Sequence, residues 1–242
     1  MKITVINGTE KRGVTYKLKE MFLQHFQGAE ITEFYLPKDC PSFCVGCTGC
    51  FTKGENYCKD FNYINVIEKS LIAADLIVMT SPAYVMHASG AMKAFLDHFG
   101  YRWMPHRPAP EMFGKRAVII TQCIGAGAKS SAKDIKHSLS WWGISKIGVF
   151  NGALMNDIVW DNVSDKRRKK LTNKINRIAR KFAKINYSKA AHTKLTTKIK
   201  FRICRLIQKK VRKNGVVGID NEYWQNNGWL GKSRPWKNKK NL

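Results

Sequence analysis

What the chain lacks narrows its class before any motif is considered. No uninterrupted apolar run reaches the length of a membrane span, and the best stretch, Leu71 to Met79, is broken by Asp75, so a transmembrane protein is not expected. The opening Met1-Lys2-Ile3-Thr4-Val5-Ile6-Asn7 has too short an apolar core for a secretion signal and reads as a first strand. No internal repeat is present, and neither the G-x-G-x-x-G dinucleotide fingerprint nor a Walker loop occurs. Acids are scarce, with 17 Asp and Glu against 43 Lys and Arg. A cytoplasmic protein is the expectation.

What is present starts with enough apolar residues, 44% of 242, to build a sizeable core and exclude wholesale disorder. The basic excess is localised. Residues 1–150 carry 18 basic and 12 acidic side chains, whereas 151–242 carry 25 and 5. Between Val163 and Gly215 there are 20 basic residues and one acid, Asp165. Composition therefore divides the chain near residue 187, into a main domain over 1–187 and a basic extension over 188–242.

The first part alternates β-branched runs with helical patterns. Strands are predicted at Ile3–Ile6, Ile31–Leu36, Leu76–Met79, Ala117–Ile120 and Ile147–Phe150. Helices are predicted over Tyr16–Phe26, Phe61–Ala73, Gly90–Phe99, Ser131–Trp142 and Asp165–Ile185. Five βα units with near-continuous apolar strands indicate an α/β fold, a doubly wound parallel sheet in the order 2-1-3-4-5. In the extension, Leu195, Ile199, Ile203, Leu206, Ile207 and Val211 recur at helical spacing among lysines and arginines, and Gly215 ends that helix. The expectation is an apolar stripe packed on the main domain or on a second subunit. Attachment to an anionic membrane and nucleic-acid binding are the alternatives. Gly218 to Leu242 is rich in Asn, Gly and Trp, with no clear period.

Ligands of an open parallel sheet bind beyond the carboxyl ends of its strands, where strand order reverses. The loop after the first strand, Asn7-Gly8-Thr9-Glu10-Lys11-Arg12-Gly13-Val14-Thr15, offers hydroxyls, glycines, cations and a helix start, all suited to a phosphate. A polar βα connection with a threonine cap is the plainer alternative. The third-strand loop, Thr80-Ser81-Pro82-Ala83-Tyr84-Val85-Met86, brings a Pro and a Tyr to the same crevice. The fourth, Thr121-Gln122-Cys123-Ile124-Gly125-Ala126-Gly127-Ala128, is small enough for backbone to approach a planar ligand.

Seven cysteines are present, and five fall between positions 40 and 58. Cys44-x2-Cys47-x2-Cys50-x7-Cys58 has gaps that let successive sulfurs converge on a small cluster. A zinc site and free buried thiols satisfy the same spacing. Cys123 and Cys204 read as packing residues. His87, His98 and His106 are scattered, and no acid–base constellation stands out.

The segments Asn7-Gly8-Thr9 through Thr15, Ser81-Pro82-Ala83-Tyr84 and Gly90-Ala91-Met92-Lys93-Ala94-Phe95-Leu96-Asp97 resemble the flavodoxin-like NAD(P)H-dependent FMN reductase family, which includes the iron–sulfur flavoproteins. The resemblance covers roughly residues 1–185. It implies FMN, its phosphate at Thr9, Lys11, Gly13 and Thr15, and its ring flanked by Pro82, Ala83, Tyr84, Val85, Gly125 and Gly127. It further implies electron transfer from NAD(P)H through bound FMN to a small acceptor such as a quinone, nitroaromatic or flavin. By the same resemblance Cys44, Cys47, Cys50 and Cys58 would hold a [4Fe–4S] cluster, as in an electron-transfer flavoprotein serving a protein partner. A homo-oligomer, dimer or tetramer, with Trp141 and Trp142 at its interface, belongs to this reading. The chain departs from the family pattern at Glu10 and Val14. Glu10 suits a phosphate site only if it faces solvent, and the departures leave open a third class, a flavin-free basic adaptor.

Overall fold

The computed structural model describes residues 1–155 and 158–237. The chain runs β1 (Lys2–Asn7), α1 (Val14–Leu23), β2 (Glu30–Tyr35), α2 (Gly49–Thr52), α3 (Phe61–Ala73), β3 (Leu76–Tyr84), β4 (His87–Ala88) and α4 (Gly90–His98). It continues through β5 (Arg116–Cys123), α5 (Ala128–Trp141), β6 (Lys146–Ala153), α6 (Asp165–Ala183), α7 (Leu195–Lys213) and α8 (Ile219–Asn226). The parallel strands lie in the order β2-β1-β3-β5-β6. That is the expected 2-1-3-4-5 once β4, a two-residue strand paired antiparallel to the end of β3, is set aside.

Period-two alternation distributes the apolar strands between two cores. Leu76 and Val78 of β3 face one side, where Val5, Val118, Ile120 and Phe150 meet Leu18 and Phe22 of α1 and Leu171, Ile175 and Phe182 of α6. Ile77 and Met79 face the other, against Ile64, Ile67 and Leu71 of α3, Phe95 of α4 and Ile135 and Leu139 of α5. Each such fully buried side chain contributes about 1.5–3 kcal/mol. The sheet interior is therefore rigid, and its carboxyl edge is a firm base for loops.

The basic extension folds onto the main domain, but not by the expected face. Leu195, Ile199, Ile203, Leu206 and Ile207 are exposed, and Val211 is half-buried. Thr197, Phe201, Cys204 and Gln208 are the buried residues of α7. Phe201 joins Met104, Phe113, Trp224 and Trp229 in a third core, its ring stacked 4.8 Å from that of Trp224. One phenylalanine outcompetes five aliphatics because two indoles are available to enclose it, delivered by a segment that carried no helical period. α8 lies in that segment, and residues 238–242 of it are outside the described residues.

The receiving surface is the 104–108 loop. Gln208 Nε2 donates to Pro105 O at 2.8 Å, Trp224 Nε1 to His106 O at 2.7 Å, and Tyr223 Oη to Pro108 O at 2.9 Å. Trp142, expected at a subunit interface, is 1% exposed and sits in the sheet core. Trp141 is half-buried and stacks on Trp103 at 5.6 Å. Truncating Trp224 to Ala should cost about 3–5 kcal/mol by leaving a large cavity and unpairing the loop carbonyl. Urea unfolding followed by tryptophan fluorescence checks this, and a loss under about 1 kcal/mol would contradict the described packing.

Candidate active site

The carboxyl ends of β2, β1 and β3 are tied together by side-chain and backbone hydrogen bonds. Asn7 Nδ2 donates to Glu33 Oε2 of β2 at 2.8 Å, and its Oδ1 accepts from Thr80 Oγ1 of β3 at 3.3 Å. Gly8 N donates to Thr80 O at 2.7 Å, and Ser89 Oγ donates to Gly8 O at 2.5 Å. A Cβ on Gly8 would meet Thr80 O at 2.8 Å, so the position tolerates only glycine. Behind this seam Lys19, fully buried, reaches Glu33 at 2.6 Å and Glu20 at 2.8 Å. Burial alone would lower the Lys19 pKa, but its hydrogen bonds to Glu20 and Glu33 outweigh that and raise it. For Glu33, burial works toward neutrality but is outweighed by the bonds from Lys19 and Asn7, which hold the carboxyl below its ordinary value. Both groups are thus charged at neutral pH.

These loops enclose a cleft of about 160 Å³ lined by Thr9, Lys11, Gly13, Thr15, Pro82, Ala83 and Tyr84, all seven named from the sequence. Val14, Gln122, Cys123, Ile124, Leu154 and Ile158 complete the lining. Helix α1 opens at Gly13 with no side-chain cap, and its first intrahelical bond is Lys17 N to Gly13 O at 3.1 Å. Among the described residues, the amides of Val14, Thr15 and Tyr16 have no protein acceptor. Three N–H groups beside the positive end of a helix suit an anion. Thr15 is buried, while Glu10 and Lys11 are exposed.

Gln122, also in the cleft lining, has its Oε1 buried with no hydrogen-bond partner, an uncompensated acceptor that a ligand N–H would satisfy. The loop sequence flagged smallness around Gln122 and not the glutamine itself, because a polar residue at a strand end is unremarkable until its partner is seen to be missing. Cys123, buried as expected of a packing residue, also borders the cleft.

Val85, Gly125 and Gly127 do not line the cleft. Val85 and Met86 form the two-residue turn between β3 and β4, with φ of 47° and 69°. Such a hairpin turn normally takes Asn or Gly. Gly127, at φ +100°, supports the turn from below, since a Cβ there would lie 2.8 Å from Met86 Cα. Gly125 faces open space. The turn projects Tyr84, Val85 and Met86 outward, and with Ile124, Met155 and Ile158 they make an exposed apolar rim.

The cysteine segment lies between β2 and α3. Cys44 and Cys47 are exposed, Cys50 and Cys58 half-buried, and Cys40 buried. Burial raises the Cys50 thiol pKa, Cys58 and Cys44 raise it further, and Arg107 opposes them. Burial likewise raises Cys58, a hydrogen bond from the Asp60 backbone opposes it, and the charges of Asp60, Cys47 and Cys44 add to the rise. A single zinc holds sulfurs about 3.8 Å apart. Among the described residues, the group that comes within 4.8 Å is instead Cys58, Asp60 and His98. Burial, Asp60 and Cys58 push Cys40 up to about 11. Arg107, 5% exposed, bonds Cys50 O, Glu55 and Asp220 together, so a fixed cation sits beside the sulfurs and α8 braces their segment. His106 also pairs with Asp220 at 2.6 Å, and His87 with Asp134 at 3.1 Å. A larger cleft of about 590 Å³ lies between Phe51, Trp103, His106 and His137, with His87 and Ala88 of β4 in its wall.

A family model described as NADPH-dependent FMN reductase matches residues 1–158. An iron-sulfur flavoprotein of Archaeoglobus fulgidus is 24% identical over 183 residues, 74% of this chain and 79% of that protein. A second iron-sulfur flavoprotein, from Clostridioides difficile, is 31% identical over 40% of this chain and 45% of its own length. Among solved structures, an FMN-dependent NADH-azoreductase from Bacillus anthracis in complex with FMN superposes with a TM-score of 0.56 at 14% identity, covering 76% of this chain and 100% of that one. That likeness is one of fold.

The Val85 turn supplies a test of its own. Val85 is 95% exposed, so Val85→Asn removes backbone strain without loss of packing and should stabilise the chain by about 1 kcal/mol. A denaturation midpoint that stays put or falls would show that the turn is unstrained.

Proposed function

Because the chain belongs to the NADPH-dependent FMN reductase family, we propose that it binds FMN in the cleft between the β1, β3 and β5 loops and passes electrons from NAD(P)H to a small acceptor, a quinone, nitroaromatic or free flavin. One observation carries this reading: Val14 and Thr15, whose amides are free at the start of α1, and Gln122, whose side-chain oxygen is orphaned, line a single cleft, the amides suited to an anion and the oxygen to a ring N–H. FMN, when bound, supplies hydride acceptance and electron delivery, so no protein nucleophile is required.

The residues of the chain bind and orient. The α1 amides and the Thr9 and Thr15 hydroxyls hold the phosphate, and Lys11 contributes charge from the exposed side of the loop. Glu10 points to solvent and does not oppose an anion. Gln122 Oε1 accepts a ring hydrogen bond, which fixes the ring's orientation. Pro82, Ala83 and Tyr84 flank the ring, while Ile124 and Ile158 keep water from its edge. Val85 meets the ligand from the rim. Gly125 leaves room for it, and Gly127 acts through the turn it supports. Residues 1–187 form the FMN-binding unit in this reading and 188–242 its extension, and the protein works in the cytoplasm as a homo-oligomer. Its seven free thiols fit a reducing compartment.

The cysteine segment supports a second role, that of an iron–sulfur flavoprotein serving a protein partner. Four cysteines gathered in one segment, with Arg107 bonded to the Cys50 carbonyl, suit a cluster whose ligands are thiolates. A [4Fe–4S] cluster at Cys44, Cys47, Cys50 and Cys58 would supply one-electron transfer, and the Arg107 guanidinium would offset part of the thiolate charge.

Two measurements test these readings separately. Fluorescence titration with FMN should show binding that Thr15→Ala weakens by about 0.5–1.5 kcal/mol; no binding to the unaltered chain removes the flavin assignment. Iron and acid-labile sulfide assays on anaerobically purified protein should give a cluster that Cys50→Ser abolishes while FMN binding persists. Protein without iron and sulfide leaves the flavin role and removes the cluster.

A further inference from the structure

The face of α7 that the fold leaves uncovered is the most unusual surface of the molecule. Leu195, Ile199, Ile203, Leu206 and Ile207 are 45–67% exposed and share one face of a helix of 19 residues, about 28 Å long. Between Leu195 and Lys213 there are eight Lys and Arg and no acid. Val216 and Val217, just past the helix, are also exposed. The opposite face is clamped by Phe201 and Cys204 against the indoles. The helix is therefore presented ready-made, and docking it incurs little ordering entropy.

We propose that α7 docks the protein onto an anionic lipid surface, with the aliphatic stripe entering the acyl boundary and the lysines and arginines meeting the headgroups. Charge decides among the occupants. Lys200, Arg205 and Arg212 bond to Ser140, Gly231 and Asn221, but a second copy using the same face would still set Lys198, Arg202, Lys209, Lys210 and Lys213 against their own copies with no carboxylate of the helix between them. A nucleic acid would engage the cations but leave five aliphatics wet, and the stripe carries no aromatic ring for bases to stack on. An apolar ridge bordered by cations matches a yielding, negatively charged, apolar-cored surface. The helix lies on that surface and does not cross it, since no described helix is long and apolar enough to span a bilayer. The inference is independent of the flavin reading.

Flotation of the full chain with vesicles decides the matter. Binding is expected to phosphatidylcholine and phosphatidylglycerol mixed two to one, with little to phosphatidylcholine alone, and it should weaken as salt rises. The double variants Ile203→Ser with Leu206→Ser, and Lys209→Gln with Lys210→Gln, change only exposed side chains. They should leave thermal unfolding unaltered, and each should reduce vesicle affinity about tenfold or more. Failure to float with anionic vesicles overturns the proposal. So does undiminished vesicle binding by the Ser variant, or duplex DNA binding in place of vesicle binding. A lipid-free dimer that the Ser variant converts to monomer would assign the stripe to a second copy instead.

Discussion

At Gly8 the chain leaving β1 comes so close to β3 that no side chain fits between them, and the rest of the cleft depends on that approach. The amide of Gly8 bonds Thr80 O, its carbonyl receives Ser89 Oγ, and the adjacent Asn7 spans β2 to β3. Ser89 is at once the cap of α4, accepting from Met92 N at 3.2 Å. One seam therefore fixes the exit of the first loop, the base of the β3–β4 hairpin and the start of a helix. The buried Lys19–Glu33 pair stiffens the same corner. Removing one member of such a pair strands the other, which costs far more than the pair itself contributes.

The parts of the molecule governed by a repeating apolar pattern were legible from residue order. The five parallel strands, their helices and the 2-1-3-4-5 order follow from β-branched runs such as Ala117–Ile120 alternating with helical patterns, and seven of ten nominated cleft residues line the cleft. What escaped prediction depends on partners distant in sequence. Gln122 matters because its oxygen lacks a partner, which only the assembled loops reveal. The positive φ of Val85 and Met86 is imposed by β3 and β4 pairing around a two-residue turn, against their own preferences.

The extension teaches a sharper lesson about periodicity. Spacing shows which residues share a helix face, but not which face meets a neighbour. In α7 the aliphatic set is longer, yet the set containing Phe201 is buried, because Trp224 and Trp229 arrive from a stretch too irregular to read in advance. Large aromatic surfaces settled the orientation, and the aliphatics were left facing outward.

The Asp220–Arg107–Cys50 brace has a consequence for how the protein is made. Its acidic member lies 170 residues beyond the cysteine it helps to hold. At about 5–20 residues per second, a ribosome needs about 10–35 s to supply it. Arg107 itself follows Cys50 by 57 residues, and until residue 220 emerges its guanidinium can pair with Glu55 but not with Asp220. Arrival of α8 then closes the corner, so a later part of the chain acts as the latch on an earlier one.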